Sequence, residues 1–294
     1  MKKLNYICLL CFTILISCSS QIPTPKENAI TVATFNVEWL GDGVKDRKDR
    51  SEGDYKRIAE VIKKTGADII ACQEIENQVA LGRVAKYLPE FTCYVAKPSG
   101  AQNIGVLYKS HLTVDVIGNY DPIAIDPSRN RPGLELSVKS GNFDFSMMIV
   151  HLKSTSRYDD TEEKRVASVE TRLLQAKAIK QWVDEKTKAG KEQDYIILGD
   201  YNDAPKREKN GSLGILNEDP NLEFITKDLY SCGKYSDSYT IDNILVSKSA
   251  LKRCFTESLM ILDITQMYTK EQLKQLSDHC PVVVQFDTSA PDND

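Results

Sequence analysis

Six short segments of the sequence carry carboxylate, amide or imidazole side chains directly after runs of apolar residues. They are residues 34–39, 72–77, 150–153, 198–203, 241–244 and 277–281. A single Asp after a strand is usually a turn former or a helix cap. Six such segments, which hold two of the three histidines, indicate one site built at strand ends. Carboxylates and amides supply oxygen ligands for a hard cation, and imidazole supplies a group for proton transfer.

The apolar pattern from residue 29 onwards predicts the strands and helices that must position these segments. Strands are expected over residues 30–35, 68–72, 103–108, 112–118, 134–138, 143–152, 195–198, 241–247, 251–262 and 281–286. Helices are expected between residues 51 and 66, over 78–87 and over 162–188. Four successive strands without a helix between them indicate antiparallel pairing. The pattern therefore predicts one mixed α/β domain, in which helices cover two packed sheets.

Local signals mark the ends of two of these helices. Ser51 and Asp54 can form a capping box before the first helix, and Gly66 can end it. The third helix has acidic residues in its first turn and Gly190 at its end. The residues expected on its buried face are Val166, Val169, Leu173, Trp182 and Val183.

The N-terminal segment predicts export and lipid anchoring. Two lysines precede an apolar run over residues 4–17, which is too short for a bilayer span of about 20 residues. Residues 15–18 resemble the bacterial lipobox, so Cys18 is the expected lipid attachment site. A plain signal peptide is the alternative. We expect a signal peptide over 1–17, a tether over 18–28, the domain over 29–288 and a tail over 289–294.

Composition and charge exclude several classes of protein. With 294 residues, 41% of them hydrophobic and 27% charged, the chain can bury a full core and is neither disordered nor fibrous. The net charge of −4 argues against a protein that holds nucleic acid through a large basic face. It does not exclude a metal enzyme, whose cation supplies positive charge at a phosphate.

Five cysteines lie beyond the N-terminal segment, namely Cys72, Cys93, Cys232, Cys254 and Cys280. An odd count without repeated spacing describes neither a disulfide framework nor a zinc site. Cys72 and Cys280 are expected to be small buried apolar residues. A bridge between Cys232 and Cys254 is an open alternative, because spacing alone does not define the geometry of a disulfide.

The order and content of the six segments closely resemble the endonuclease/exonuclease/phosphatase superfamily. This group includes pancreatic-type deoxyribonuclease, exonuclease III-type repair nucleases, sphingomyelinases and inositol polyphosphate phosphatases. The resemblance covers residues 30–286, and its most specific parts are Leu-Gly-Asp-Tyr-Asn at 198–202 and Ser-Asp-His at 277–279. It implies a four-layered α/β/β/α sandwich of two mixed, largely antiparallel sheets, with the active site at one rim.

The resemblance also implies roles for single residues. The positions that match the family's metal site are Asn36, Glu74 and Asp278. The positions that match its catalytic residues are His151, Asp200, Asn202, Asp242 and His279. An all-oxygen ligand set suits Mg²⁺ or Mn²⁺ and disfavours a thiolate zinc site.

Two of these assignments stay open on the residues alone. His279, held in one tautomer by Asp242, can take a proton from water, and Asp200 is the rival base. His151 is expected to donate to the phosphate, which Asn202 orients, and a histidine satisfied in the core is the alternative for His151.

Basic residues beside the site are weaker candidates. Arg131 stands where the family often has a basic residue near the substrate, and pairing with a surface acid is equally compatible with its position. Residues 42–54 are expected to form a solvated, mobile loop. Its place beside the strand of Asn36 would also allow Lys45, Arg47 or Arg50 to contact phosphates.

The resemblance favours a metal-dependent phosphodiesterase that hydrolyses nucleic acid, an endonuclease. The alternatives are a phosphatase or phosphodiesterase that acts on a small or lipid-linked phosphate ester, and a non-catalytic binding lipoprotein of the same fold. We expect a monomer that contacts the membrane only through its lipid anchor. The expected location is the bacterial outer membrane, facing the periplasm, with the cell surface as the alternative.

Overall fold

The structure is a computed structural model that describes residues 24–97, 100–156 and 158–292. Its strands, in chain order, are β1 (Ala29–Leu40), β2 (Ile69–Ile75), β3 (Phe91–Val95), β4 (Asn103–Lys109), β5 (Thr113–Tyr120), β6 (Gly133–Ser140), β7 (Phe143–His151), β8 (Tyr195–Asp200), β9 (Leu222–Phe224), β10 (Asp242–Ser247), β11 (Cys254–Ile261) and β12 (Val282–Asp287). Its α-helices are α1 (Glu52–Thr65), α2 (Gln78–Ala85), α3 (Glu162–Ala189), α4 (Gly214–Asn217), α5 (Lys248–Leu251) and α6 (Lys270–Leu276).

The strands form two six-stranded sheets. The first sheet has the order β11-β12-β1-β2-β4-β3, and the second has the order β5-β6-β7-β8-β10-β9. Only the pairs β1–β2 and β7–β8 are parallel among these described strands. The run of strands from β5 to β7 is antiparallel, as predicted.

Three hydrophobic clusters hold the layers together. The first lies between the sheets and contains Val32, Phe143, Phe145, Leu198 and Phe286. The second packs α1 and α2 against the outer face of the first sheet, and the third packs α3 against the second sheet. These layers are the predicted four-layered α/β/β/α sandwich, so the fold prediction is confirmed.

The start and stop signals of the helices are confirmed. Ser51 and Asp54 form the capping box of α1, and Gly66 ends this helix in the left-handed region at φ 67°. Thr161 caps α3 through a hydrogen bond from the Lys164 amide, and Gly190 ends α3 at φ 64°. Only glycine adopts this conformation without strain, so the two glycines are effective stops.

The predicted buried face of α3 is wrong over its first half. Val166 and Leu173 are 44% and 36% exposed, whereas Arg172 and Gln175 are buried. Arg172 donates to the Lys153 carbonyl (2.9 Å), and Gln175 accepts from the Lys153 amide (2.8 Å). The first half of α3 therefore turns polar residues inward, because it supports the loop that follows β7. Its second half buries Trp182 and Val183 as predicted.

The cysteine predictions are corrected in two respects. Cys232 forms a disulfide with Cys280, and Cys254 is free. Cys254 pairs with Phe286 in the register of β11 and β12. That position lies six residues along the strand from Cys280, which corresponds to about 20 Å. The prediction for Cys72 is confirmed, because this thiol is buried and free.

Removal of the disulfide should destabilise the protein strongly. The bridge spans 48 residues, so chain entropy predicts that Cys232→Ser/Cys280→Ser lowers the free energy of unfolding by about 4 kcal/mol. Urea denaturation of both proteins measures this difference. The control is Cys254→Ser, which should change stability much less. A larger loss in Cys254→Ser than in the double variant would contradict the Cys232–Cys280 pairing.

The predicted signal peptide and Cys18 lie outside the described residues. Within the described part of the chain, no helix is both long and apolar enough to cross a membrane.

Candidate active site

The predicted site residues meet at the rim where ends of the two sheets face each other. Asn36 lies in β1 of the first sheet, and its amide nitrogen donates to Asp200 Oδ2 at the end of β8 in the second sheet (3.0 Å). The same nitrogen is 3.3 Å from Glu74 Oε1 at the end of β2. Asn36 therefore joins two carboxylates that come from different sheets.

Left-handed backbone conformations cluster at this rim. Seven described non-glycine residues have positive φ, and four of them lie here: Glu38 (51°), Trp39 (56°), Glu74 (64°) and Asn202 (51°). Such residues cost free energy and persist only where the surroundings hold them. Glu38 and Trp39 in β1 and Glu74 in β2 accompany irregular register in these two strands. Glu74 Oε2 accepts from the Trp39 amide (3.1 Å), so a hydrogen bond connects the irregular part of β2 to that of β1.

Gly199 allows β7 and β8 to approach closely at the site. A Cβ atom at this position would lie 1.9 Å from the Val150 carbonyl oxygen, and the residue has φ 144°. Only glycine fits such an approach. The resulting register places His151 opposite Asp200.

The predicted Asp–His dyad forms across the two sheets. His279 Nδ1 lies 2.7 Å from Asp242 Oδ2. Its Nε2 lies 3.9 Å from Asp200 Oδ2 and 3.9 Å from Asp278 Oδ1. A carboxylate on Nδ1 fixes the tautomer, which leaves Nε2 as the nitrogen that can exchange a proton with a ligand.

A serine holds the loop of His279 against β1. Ser277 Oγ donates to the Asn36 carbonyl (2.7 Å) and accepts from the His279 amide (3.0 Å). The main chain of the dyad is thereby tied to the strand that carries Asn36.

Burial and neighbouring charges shift the pKa of three groups in this cluster. Burial raises the pKa of Asp200 to about 7, although the nearby His279 acts in the opposite direction. Burial alone favours neutral His279, but attraction and hydrogen bonding by Asp242 outweigh it and raise the pKa of His279 well above its usual range. Burial, with Arg131 and His279 nearby, lowers the pKa of His151 well below its usual range.

His151 lies beside Asp200 at the end of β7, and Arg131 contacts the main chain of His151. His151 is 3% exposed, and its Nε2 lies 3.6 Å from Asp200 Oδ2. Its Nδ1 is buried without a hydrogen-bond partner within the described residues. Arg131 Nη2 donates to Gln102 Oε1 (2.9 Å), and Arg131 Nη1 donates to the His151 carbonyl (3.5 Å). Arg131 thus contacts the main chain of His151 and lies close enough to Glu74 and Asp200 for their charges to act on it. It forms no ion pair with a surface acid among the described residues.

Asn202 is placed by the end of β7. Its side-chain nitrogen donates to the Leu152 carbonyl (3.1 Å), and its backbone amide donates to Asp200 Oδ1 (2.8 Å). This links the loops that follow β7 and β8. Contact of Asn202 or His151 with a phosphate stays a prediction.

The prediction of a solvated loop over residues 42–54 is wrong at Arg50. This side chain is 4% exposed, and it donates to five backbone carbonyls, those of Val37, Glu38, Trp39, Gln275 and Leu276. Arg50 therefore clamps the end of β1 to the segment before His279 and cannot reach a substrate. Arg47 lies over the Trp39 ring, with its guanidinium 4.0 Å from the ring centroid, and it remains exposed.

The carboxylates at the rim fit a divalent cation. Glu74 and Asp200 share one amide donor, Asp200 is buried, and Asp242 Oδ1 is buried without a partner within the described residues. This excess of oxygen acceptors and negative charge matches the ligands that Mg²⁺ and Mn²⁺ bind. The predicted ligand Asp278 lies on the His279 side of the site. Asn36 presents its nitrogen to the carboxylates, while its Oδ1 accepts from the Glu38 amide (2.9 Å), so its role as a metal ligand stays a prediction.

Several residues around the site were not predicted. A cavity of about 390 Å³ opens at the dyad, and Thr155, Arg207, Tyr235 and Tyr239 line it together with His279. Arg207, Tyr235 and Tyr239 lie between β8 and β10, and Tyr235 ends a short 3-10 helix. No apolar periodicity marks their positions, so the sequence alone gave no signal for them.

The dyad and the carboxylates around it are the kinds of group that hydrolysis of a phosphoester requires. The chain belongs to the Endonuclease/Exonuclease/phosphatase family, whose model matches residues 33–279. Members of this family are phosphoester hydrolases that depend on divalent metal ions. The chain has no significant match among curated proteins.

Solved structures share this fold at low identity. Truncated TDP2 of Caenorhabditis elegans has a TM-score of 0.61 and 15% identity, over 88% of this chain and 97% of that one. The catalytic domain of human nocturnin with bound sulfate has a TM-score of 0.58 and 18% identity, over 90% and 96%. A mannosyl-6-phosphatase of Bacteroides thetaiotaomicron has a TM-score of 0.57 and 17% identity, over 87% and 98%. At such identities the likeness shows the fold alone.

Proposed function

We propose that the chain is a divalent-metal-dependent phosphodiesterase that cleaves nucleic acid internally. The observation that carries this proposal is that the dyad lies within a continuous series of three cavities. The cavity at the dyad shares Asn202 and Arg207 with a neighbouring cavity of about 460 Å³. It shares Asp278 and His279 with another of about 590 Å³ on the opposite side. A site open on both sides suits a polymer that passes through it.

The chain's own groups can account for water activation. A bound divalent cation would neutralise charge on the phosphate oxygens. Asp242 holds His279 through Nδ1, so that Nε2 takes the proton of the attacking water as the new P–O bond forms. The bond to the leaving oxygen breaks in the same step, and that oxygen takes up a proton from solvent water. The carboxylates around His279 stabilise the resulting imidazolium. Neutral His151 can donate to a phosphate oxygen, and Asn202 orients the same group.

A phosphatase that acts on a small phosphate ester is the second candidate. Two observations favour it: the net charge of −4, and the pairing of Arg165 and Arg207 with acids beside the site. The fold is also that of the mannosyl-6-phosphatase.

A substrate panel separates the two candidates. We expect the purified protein with Mg²⁺ to nick covalently closed circular DNA or to cut RNA internally, as seen by gel electrophoresis. The panel also contains small phosphodiesters and sugar phosphates, with inorganic phosphate as the readout. A His279→Ala preparation is the control for contaminating nucleases. Release of phosphate from sugar phosphates without any cleavage of nucleic acid would overturn the nuclease proposal.

We also propose that the chain is exported and anchored through Cys18. The Cys232–Cys280 disulfide supports export, because disulfides persist in oxidising compartments.

A further inference from the structure

The largest of the three cavities at the site has a distinctive lining. It lies between α6 and the loop that carries Cys232, and it contains about 590 Å³. Asp278 and His279 form its inner edge, so a ligand bound there would be adjacent to the dyad. Tyr268 and Leu273 add an apolar wall.

Positive charge predominates on the walls of this cavity. Lys234, Lys270 and Lys274 line it, and none of them forms an ion pair with a carboxylate in the described part of the chain. Lys270 and Lys274 are one turn apart on α6 and therefore share a face. The acids on the walls are Glu38 and Asp278, and Lys48 already pairs with Glu38 at 2.7 Å. Lys234 Nζ lies 4.6 Å from the centroid of the Tyr235 ring. Lys270 and Lys274 form no side-chain hydrogen bond or ion pair in the described part of the chain, so these two lysines are available for an anionic ligand.

The cavity at the other end of the series is different. Arg165 there lies 3.3 Å from Glu162, and Arg207 is paired with Asp203. Arg172 and Lys209 also line that cavity, and Arg172 donates to the Lys153 carbonyl (2.9 Å). Both ends of the series therefore carry positive charge, and the α6 side differs in that none of its three lysines pairs with a described carboxylate.

The Cys232–Cys280 disulfide links the segment that carries Lys234 to the segment that carries His279. Lys234 follows Cys232 by two residues, and Cys232 is bonded to Cys280, the neighbour of His279. Gly233, which lies between Cys232 and Lys234, has φ 58°. A Cβ atom at this position would lie 2.8 Å from Thr265 Cγ2. The approach of Lys234 to the cavity thus depends on both the glycine and the bridge.

We propose that this cavity binds a second phosphate group of the substrate, next to the phosphate that is hydrolysed. This proposal rests on the proposed function, and it adds a second phosphate-binding position beside the phosphate that is hydrolysed. Substrates with at least two phosphates are therefore preferred. The lysines bind the second phosphate, and the apolar wall packs against the carbon skeleton between the two groups. A polynucleotide backbone and a small bisphosphate both have this chemistry.

The first experiment measures binding without turnover. In EDTA, the protein should bind thymidine 3′,5′-bisphosphate about tenfold more tightly than thymidine 5′-monophosphate, measured by calorimetry, since each exposed ionic contact contributes up to about 1 kcal/mol. Lys270→Gln/Lys274→Gln should remove this preference. The matched control is Lys56→Gln/Lys63→Gln on α1, where both lysines are exposed and line none of the three cavities.

The second experiment measures turnover with Mg²⁺. The p-nitrophenyl ester of thymidine 5′-monophosphate, with and without a 3′-phosphate, should show the same tenfold preference in kcat/KM, lost in the α6 variant. With oligothymidylate, that variant should reduce the slope of log affinity against log salt by about 1.4, because each contact to a single strand contributes about 0.7. A reduced slope supports a polynucleotide ligand, and an unchanged slope with a retained bisphosphate effect supports a small one.

The outcomes separate this proposal from the proposed function. Bisphosphate preference without any turnover would leave the subsite in place and remove the nuclease proposal. Turnover or binding that is equal with and without the second phosphate, or equal losses in the α6 and α1 variants, would overturn the subsite.

Discussion

Chelation of divalent cations should lower hydrolytic activity by at least about 10³-fold, and added Mg²⁺ or Mn²⁺ should restore it. The carboxylates of Glu74 and Asp200 lie around one amide at the rim, with Asp200 buried. A cation bound there would supply charge neutralisation worth several kcal/mol in the transition state. The measurement is the initial rate after EDTA treatment, followed by titration with each metal.

Two variants locate the cation. Glu74→Gln should raise the Mg²⁺ concentration needed for half-maximal activity, because it removes one charged ligand. Glu76→Gln is the control, since Glu76 lies two residues further along and accepts from the Asp42 amide (2.9 Å) outside this cluster. Full turnover in a metal-free, chelated sample would rule out the metal-dependent mechanism.

Loss of the dyad should have a comparably large effect. His279→Ala and Asp242→Asn should each lower kcat by at least about 10²-fold, since removal of a general base typically costs this much. The double variant should lose little more than the worse single one, because the two residues act as one unit. Thermal denaturation checks that the melting temperature of each variant stays close to that of the native protein.

The pH profile distinguishes His279 from Asp200 as the base. Asp242 raises the pKa of His279, so Asp242→Asn should move the rising limb of kcat/KM to lower pH. If Asp200 is the base instead, His279→Ala should retain activity and move that limb to higher pH, because His279 lowers the pKa of Asp200. Normal turnover with lowered stability in both single variants would show that the pair is structural.

Most elements of the fold could be predicted because their signals are local. The capping box of Ser51 and the glycine stops lie within one turn of the helix that they define. Two of the edge strands gave no such signal: β9 has three residues, and β3 is only partly buried. Helix α6 was also missed, because its seven residues are mostly polar.

The residues of the candidate site also divide into those that the sequence could predict and those that it could not. Polar groups at strand ends could be predicted to meet, since neighbouring strands end at a common rim. Partners from distant loops could not, and the Cys232–Cys280 bridge and the burial of Arg50 are the main examples. Left-handed Glu38, Trp39 and Glu74 also escaped prediction, since their conformation depends on bulges that only the assembled sheet imposes.

The side-chain contacts that join the two sheets at the site make catalysis depend on residues far from the rim. Asn36 and the loop of His279 belong to one sheet, whereas Asp200 and Asp242 belong to the other, and contacts of 3.0 and 2.7 Å join them. The thickness of the apolar layer around Phe145 therefore determines the distance between the catalytic side chains of the two sheets. A misplacement of about 1 Å can cost a reaction about 10²-fold. Selection for turnover thus constrains the size of interior side chains that no substrate ever touches.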